Sequence, residues 1–162
     1  MAIFHLHTKN FNKTKSALGV VAYRSGTRLV DWDKNKVYNY TKKQHVEYST
    51  MLFPEGVKPV DREEFWNEAQ RAEKQVNGRY GKELEFSLPR ELNRQKQIEI
   101  ATKFLTENFT KKGYVVDMNL HAPSAADGAE QPHIHALVAV RKMNTDGTFE
   151  KTKARKTYAL DN

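Results

Sequence analysis

The sequence contains no cysteine. A disulfide scaffold, a thiolate-ligated zinc or iron–sulfur site and a thiol nucleophile are therefore excluded. Apolar runs are only a few residues long, far below the roughly 20 needed to span a bilayer. The opening Met1-Ala2-Ile3-Phe4-His5-Leu6-His7 has no basic segment leading into a long apolar one. It does not read as a secretory signal, and a soluble intracellular protein with no membrane span is expected. Internal repeats and low-complexity segments are missing, as is a Gly-rich loop of the kind that cradles ATP. Acidic residues are in short supply: 20 Asp+Glu face 27 Lys+Arg, a formal charge of +7. That excess suits a polyanionic partner. Many basic domains bind none, so only a site can establish one. The 162 residues, 38% hydrophobic and 29% charged, are enough for one domain with a real core and lie outside the disordered range.

The patterning predicts an order β, α, β, β, α, β, α, β, β. Residues 2–8 alternate with period two, as a strand does, and 9–15 read as a polar, basic loop. Ser16 is placed to cap a short helix that ends near Gly26. Val37–Tyr40 and Val46–Leu52 read as two strands around the turn 41–44. Asp61-Arg62-Glu63-Glu64 resembles a capping box. Phe65, Ala69, Ala72 and Val76 then share one helical face, stopped by Asn77-Gly78. Glu83–Leu88 is a strand ended by Pro89. Asn93 opens a long helix with Ile98, Ala101, Leu105 and Phe109 on its apolar side, closed by Gly113. Tyr114–His121 and His133–Arg141 are strands, 144–147 a turn, and 151–156 a loose basic tail. The fold class is α+β, a mostly antiparallel sheet with helices packed on its faces.

His133-Ile134-His135 is the most informative segment. On a strand, residues two apart point to one side, so His133 and His135 share a face. His121 ends the preceding strand, and antiparallel pairing across the 122–132 loop returns it beside them. Three converging imidazoles make a site for a divalent metal with positions left open. The bland alternative is a set of histidines hydrogen-bonded on a half-buried surface. His5-Leu6-His7 has the same spacing without a third histidine nearby. His5 reads as structural and His7 as surface, with a mixed site using His5 left open. A metal-bound imidazole needs an acceptor for its other nitrogen. Glu83 and Glu85 share a strand face and either could serve, or both could be solvated. Tyr23, near the end of the short helix, reads on composition alone as a core tyrosine with its hydroxyl at the edge. The other tyrosines look no different.

Several blocks together resemble the MobA/MobL relaxases, plasmid mobilisation proteins of the HUH endonuclease class. They are Ala2-Ile3-Phe4-His5-Leu6, Ala22-Tyr23-Arg24-Ser25-Gly26, Phe65-Trp66-Asn67, Lys82-Glu83, Leu88-Pro89-Arg90-Glu91-Leu92 and Val116-Asp117-Met118-Asn119-Leu120-His121 with Pro132-His133-Ile134-His135. They fall in order from residue 2 to about 141. The Pro-His-x-His element with an upstream His is specific, and its pairing with Ala-Tyr-Arg more so. The resemblance implies a relaxase fold in residues 1–150. The basic tail, 151–162, is expected to lead to further domains.

It also implies an activity: site- and strand-specific nicking of plasmid origin-of-transfer DNA in the bacterial cytoplasm. By the resemblance Tyr23 is the nucleophile, His121, His133 and His135 are metal ligands, and Glu83 orients one of them. Glu85 sits where family members often have other residues. The 122–132 loop is somewhat long for the family. The implied cofactor is a divalent ion, Mn²⁺ or Mg²⁺. The implied partners are single-stranded or hairpin origin DNA, with accessory relaxosome proteins and a coupling protein.

The chemistry is coherent. A cation on the phosphate oxygens lowers the barrier to nucleophilic attack, and neutral imidazoles leave that cation its full charge. Tyrosine attack links Tyr23 to the 5′ phosphate, frees a 3′ hydroxyl and stores the bond energy for rejoining, so ATP is not required. No dedicated base is identified. Candidate DNA contacts are Arg24, Lys42, Lys43, Arg79 and Lys82, each of which could equally be a solvated surface charge. Trp32, Tyr38 and Tyr40 are candidate stacking platforms. Three rival readings stand. One is a hydrolase in which water attacks and Tyr23 is structural. Another is a rolling-circle replication initiator of the same class. The third is a non-catalytic basic nucleic-acid-binding module.

Overall fold

The computed structural model describes residues 5–12, 15–75 and 78–153. Five strands form one antiparallel sheet: β1 (Leu6–Asn12), β4 (Val46–Leu52), β5 (Arg79–Ser87), β6 (Val116–His121) and β7 (His133–Ala139). Their spatial order is β1-β5-β7-β6-β4. Two hairpins lie outside it, β2 (Arg28–Asp31) with β3 (Lys36–Asn39), and β8 (Arg141–Met143) with β9 (Phe149–Lys153).

Helices cover both faces of the sheet. On one face, α1 (Ala17–Ser25) and α2 (Arg62–Ala72) bury Leu18, Val21, Phe65 and Trp66 against Leu137 and Ala139. On the other, α3 (Arg94–Asn108) sets Ala101 and Leu105 on Leu84, Met118, Leu120, Ile134 and Val138. Local signals account for the helix ends. Asp61 and Asn93 cap α2 and α3 by accepting from Glu63 N and Lys96 N, which satisfies otherwise orphaned donors. Gly26, at φ 65°, closes α1 in the left-handed region that glycine enters without strain. Ser16 stands at the cap of α1, but its hydroxyl turns away to donate to Asp31 Oδ2 at 2.6 Å.

The structure departs from the sequence reading at several places. β1 runs to Asn12, so residues 9–12 are strand rather than loop, held by pairing with β5 along their length. Residues 2–4 lie outside the described residues. Val37–Tyr40 does not form a hairpin with Val46–Leu52. β3 turns back on β2, through Asn35 at φ 49°, while β4 joins the main sheet beside β6. α2 ends at Ala72, and Val76 lies outside the described residues. Finally, 151–153 belong to β9 rather than to a loose tail, and residues 154–156 lie outside the described residues.

Candidate metal centre and nucleophile

β6 and β7 pair so that His121 stands opposite His133 and Asn119 opposite His135. Side chains on alternate positions share a face, so all three imidazoles project toward α1. Their ring centroids lie 4.6–5.6 Å apart, and one potential ligand atom from each lies within 4.8 Å of the others. Among the described residues no other group of His, Cys, Asp or Glu meets that condition. His5 and His7 are exposed at the edge strand.

Glu83 on β5 reaches diagonally across the ladder to His135, Oε1 lying 2.9 Å from Nδ1. Its oxygens also take Arg24 Nε at 2.7 Å and Lys9 Nζ at 3.4 Å. Burial alone would raise this carboxyl. The hydrogen bond from His135 and the charges of Arg24 and Lys9 outweigh it and hold it at about 2. Glu85, directly opposite His135, stays half-exposed and 4.0 Å away.

Burial, reinforced by neighbouring rings and Lys43, lowers His121 to about 3 despite its bond to the Arg24 carbonyl. Burial likewise lowers His135. Both rings are neutral near pH 7, as metal ligation requires. Their partners assign the tautomers, because carbonyl and carboxylate oxygens only accept. His121 Nε2–H donates to Arg24 O at 2.6 Å. His135 Nδ1–H donates to Glu83, and His133 Nδ1–H to Gln131 O at 2.9 Å. The two remaining Nε2 atoms, of His133 and His135, then face each other at 3.1 Å with a lone pair on each. Nothing in that pair supplies the proton, and a cation between them relieves the repulsion. The separation matches two nitrogens about 2.0–2.1 Å from one ion. The donor set thus fits a divalent metal on geometry and protonation alike.

Tyr23 lies on the last turn of α1 with 46% of its surface exposed. Its ring meets Tyr40 edge-on at 5.2 Å, and Lys43 Nζ stands 3.6 Å above its centroid. The same ammonium donates to the Tyr23 carbonyl at 2.7 Å. Burial, then the Arg24 charge, lowers Lys43 to about 8. Arg24, the next residue, reaches the histidine cluster twice. Its guanidinium holds Glu83, and its carbonyl takes the His121 bond. The end of α1 is therefore fastened to the cluster from both backbone and side chain.

Of the candidate DNA-contacting residues, Arg24 and Lys43 are brought to the centre, where each already has a protein partner. Lys42 is exposed in the adjoining 40–45 loop. Arg79 lies at the far end of β5, paired with Asn12. Lys82 is largely buried and shares its strand parity with Leu84 and Phe86, on the α3 side of the sheet. Lys9 at Glu83 was missed in the sequence reading. The apolar alternation stops at Thr8, and what places Lys9 is the β1–β5 ladder, which sets it directly opposite Glu83.

A cleft of about 690 Å³ opens beside Tyr23, lined by Lys9, Lys15, Lys34, Tyr38 and Tyr40 among others.

Comparisons with known proteins agree with this architecture. Mobilization protein MobL of Acidithiobacillus ferridurans is 29% identical over an alignment covering 93% of this chain and 46% of that protein. Probable mobilization protein MobA of Bifidobacterium longum is 28% identical, over 99% of this chain and 29% of that protein. The chain thus spans less than half the length of these curated relatives. A solved structure described as "Molecular Basis of Vancomycin Resistance Transfer in Staphylococcus aureus" superposes with a TM-score of 0.84 at 29% identity, over 99% of this chain and 81% of that one. A structure of conjugative relaxase TrwC in complex with oriT DNA shares the fold, with a TM-score of 0.54 at 13% identity over 97% of this chain and 62% of that one. Residues 15–161 match the model of the MobA/MobL family, and the chain belongs to that family.

Proposed function

We propose that residues 1–150 are the nicking domain of a conjugative relaxase, acting on one strand of a plasmid's origin of transfer in the bacterial cytoplasm. The basic residues 151–162 would lead to the remainder of a longer protein. One observation carries the reading: an exposed Tyr23 is fastened through Arg24 to three imidazoles whose lone pairs and neutrality suit a cation. Family membership and the shared fold of a relaxase bound to oriT DNA support it.

His121, His133 and His135 would hold a divalent ion, Mn²⁺ or Mg²⁺, which when bound supplies positive charge to the oxygens of the scissile phosphate. Glu83 keeps the His135 tautomer fixed and its lone pair outward. Tyr23 Oη attacks phosphorus, the phenolic proton leaves to solvent, and the bond from phosphorus to the 3′ oxygen breaks. That oxygen takes a proton and becomes a free 3′ hydroxyl, while the strand's 5′ phosphate remains esterified to Tyr23. The Lys43 ammonium over the ring favours negative charge developing on the phenol. Other relaxosome proteins and a coupling protein would act with the full-length protein.

The test is incubation with origin-containing single-stranded DNA and Mn²⁺, followed by mapping of the modified residue. A covalent nucleotide on Tyr23, lost in Tyr23→Phe, is expected. Continued nicking by Tyr23→Phe with a free 5′ phosphate would assign the attack to water and overturn the proposal.

A further inference from the structure

The three imidazoles are not supported alike. His135 is held by the Glu83 carboxylate on β5, and His121 by the Arg24 carbonyl on the last turn of α1. Both acceptors belong to regular elements. The acceptor of His133 is the carbonyl of Gln131, an exposed residue of the 122–132 loop. A loop carbonyl aims a ring only as well as the loop itself is held.

The loop is held from within and from one flank. Within it, Gln131 N donates to Pro123 O at 2.8 Å and Ala125 N to Ala129 O at 2.7 Å. The flank is the segment that follows β5. Leu88 N donates to Pro132 O at 2.9 Å. Arg90 divides its guanidinium between two acceptors, with Nε donating to Glu130 O at 3.0 Å and a terminal nitrogen to Asp127 Oδ2 at 2.9 Å. Arg94, at the start of α3, donates to Glu130 Oε2 at 2.9 Å. Residues 88–92 are themselves locked to α3, because the buried Gln97 amide donates to Pro89 O and Leu92 O.

These bonds converge on one peptide plane. The Glu130–Gln131 unit has its oxygen fixed by Arg90 and its N–H fixed by Pro123 O. A planar peptide pinned at both polar atoms cannot turn. Beyond it, Gln131 is confined to extended backbone by the proline that follows. The Gln131 carbonyl is thus directed by its neighbours on either side.

We infer that Arg90 is a positioning residue for the metal centre: by anchoring the Glu130–Gln131 peptide it directs the Gln131 carbonyl, and with it the His133 ring. The inference rests on the reading of the three histidines as ligands. It extends that reading to a residue outside the cluster, and gives the Leu88-Pro89-Arg90-Glu91-Leu92 block a role.

The experiment uses the whole chain. Long-range proton–nitrogen NMR on isotope-labelled histidines reads, without metal, which ring nitrogen carries each proton. Calorimetry reads Mn²⁺ affinity. Wild-type His133 should hold its proton on Nδ1. Arg90→Met keeps the apolar stem. It should mix the His133 tautomers, leave His121 and His135 as they are, and weaken Mn²⁺ binding about tenfold. Arg90→Lys can serve one of the two acceptors and should recover part of both losses. Asp127→Asn leaves the bond to Glu130 O in place. It should change Mn²⁺ affinity by less than about fivefold, the range of an exposed ion pair. Where the wild type binds Mn²⁺, an unaltered affinity or unaltered His133 signals in Arg90→Met overturn the inference. So do equal shifts of all three histidines, which would mean a general loosening of the sheet. A wild type that binds no Mn²⁺, while Arg90→Met still moves His133 alone, sinks the metal reading and leaves the positioning intact.

Discussion

The two faces of the central sheet are built from the same strands and are equally buried, yet they differ in kind. On β6 and β7, Val116, Met118, Leu120, Ile134, Ala136 and Val138 face α3, and every one is fully buried and apolar. Their immediate neighbours Asp117, Asn119, His121 and His135 face the α1–α2 side and are buried too, but polar. Burial of a polar group is tolerable only when its hydrogen bonds are made. On this face they are made in a continuous series. Asp117 receives Arg62, Trp66 Nε1 and Asn119, and Asn119 also donates to the His135 carbonyl. One face supplies cohesion through contact. The other spends its interior on fixing where charged and ligating groups point.

Breaking the polar series should have the largest effect. Asp117→Ala removes the carboxylate that receives both Arg62 and Trp66 Nε1. It should lower unfolding free energy by about 3–5 kcal/mol, read by urea titration, because it leaves a partly buried cation without its anion and the buried Trp66 indole N–H without its acceptor. Next, Leu105→Ala on the apolar face should cost about 2–5 kcal/mol through the cavity it leaves. Mn²⁺ affinity of the folded fraction should be unaltered. A change in that affinity would show that the faces are not independent.

Glu83→Gln tests the opposite combination. It keeps shape, removes the anion that fixes His135, and should weaken Mn²⁺ binding about 10- to 100-fold by calorimetry. The last effect is a pH dependence. His121 takes up a proton near 6.5 when unfolded but only at about 3 when folded. The unfolded state binds more protons between those limits, so the ion-free protein loses stability as pH falls from 6.5. Glu83, held at about 2 against an ordinary 4.5, adds a loss below pH 4.5 in the same direction. Urea midpoints should therefore decline from pH 7 through 5.5 to 4. A flat profile would mean that the imidazoles are more solvated than the structure has them.

How much of this was readable beforehand depended on whether the deciding physics was local. The three histidines were legible because strand parity and one antiparallel return are enough to converge them. Glu83 and Glu85 were not separable by the same rule, since they share a face. What divides them is depth, with Arg24 and Lys9 closing over Glu83 and solvent reaching Glu85. Lys82 shows parity unused, because its place between Gly81 and Glu83 already put it on the side of Leu84. The β2–β3 pairing was hidden for another reason. Residues 28–31 make a four-residue strand, and which neighbour β3 chooses is decided by the bonds that bind β2 to α2. Val30 and Trp32 trade backbone hydrogen bonds with the Glu63 and Asn67 side chains, and no short-range pattern announces them.

The double attachment at position 24 bears on heredity. Half of it runs through a peptide oxygen that every amino acid carries, so a codon change there can strip away the guanidinium yet leaves the imidazole at 121 its acceptor. Loss of the charge there would deprive Glu83 of a counter-ion while the helix end stays moored through the peptide oxygen.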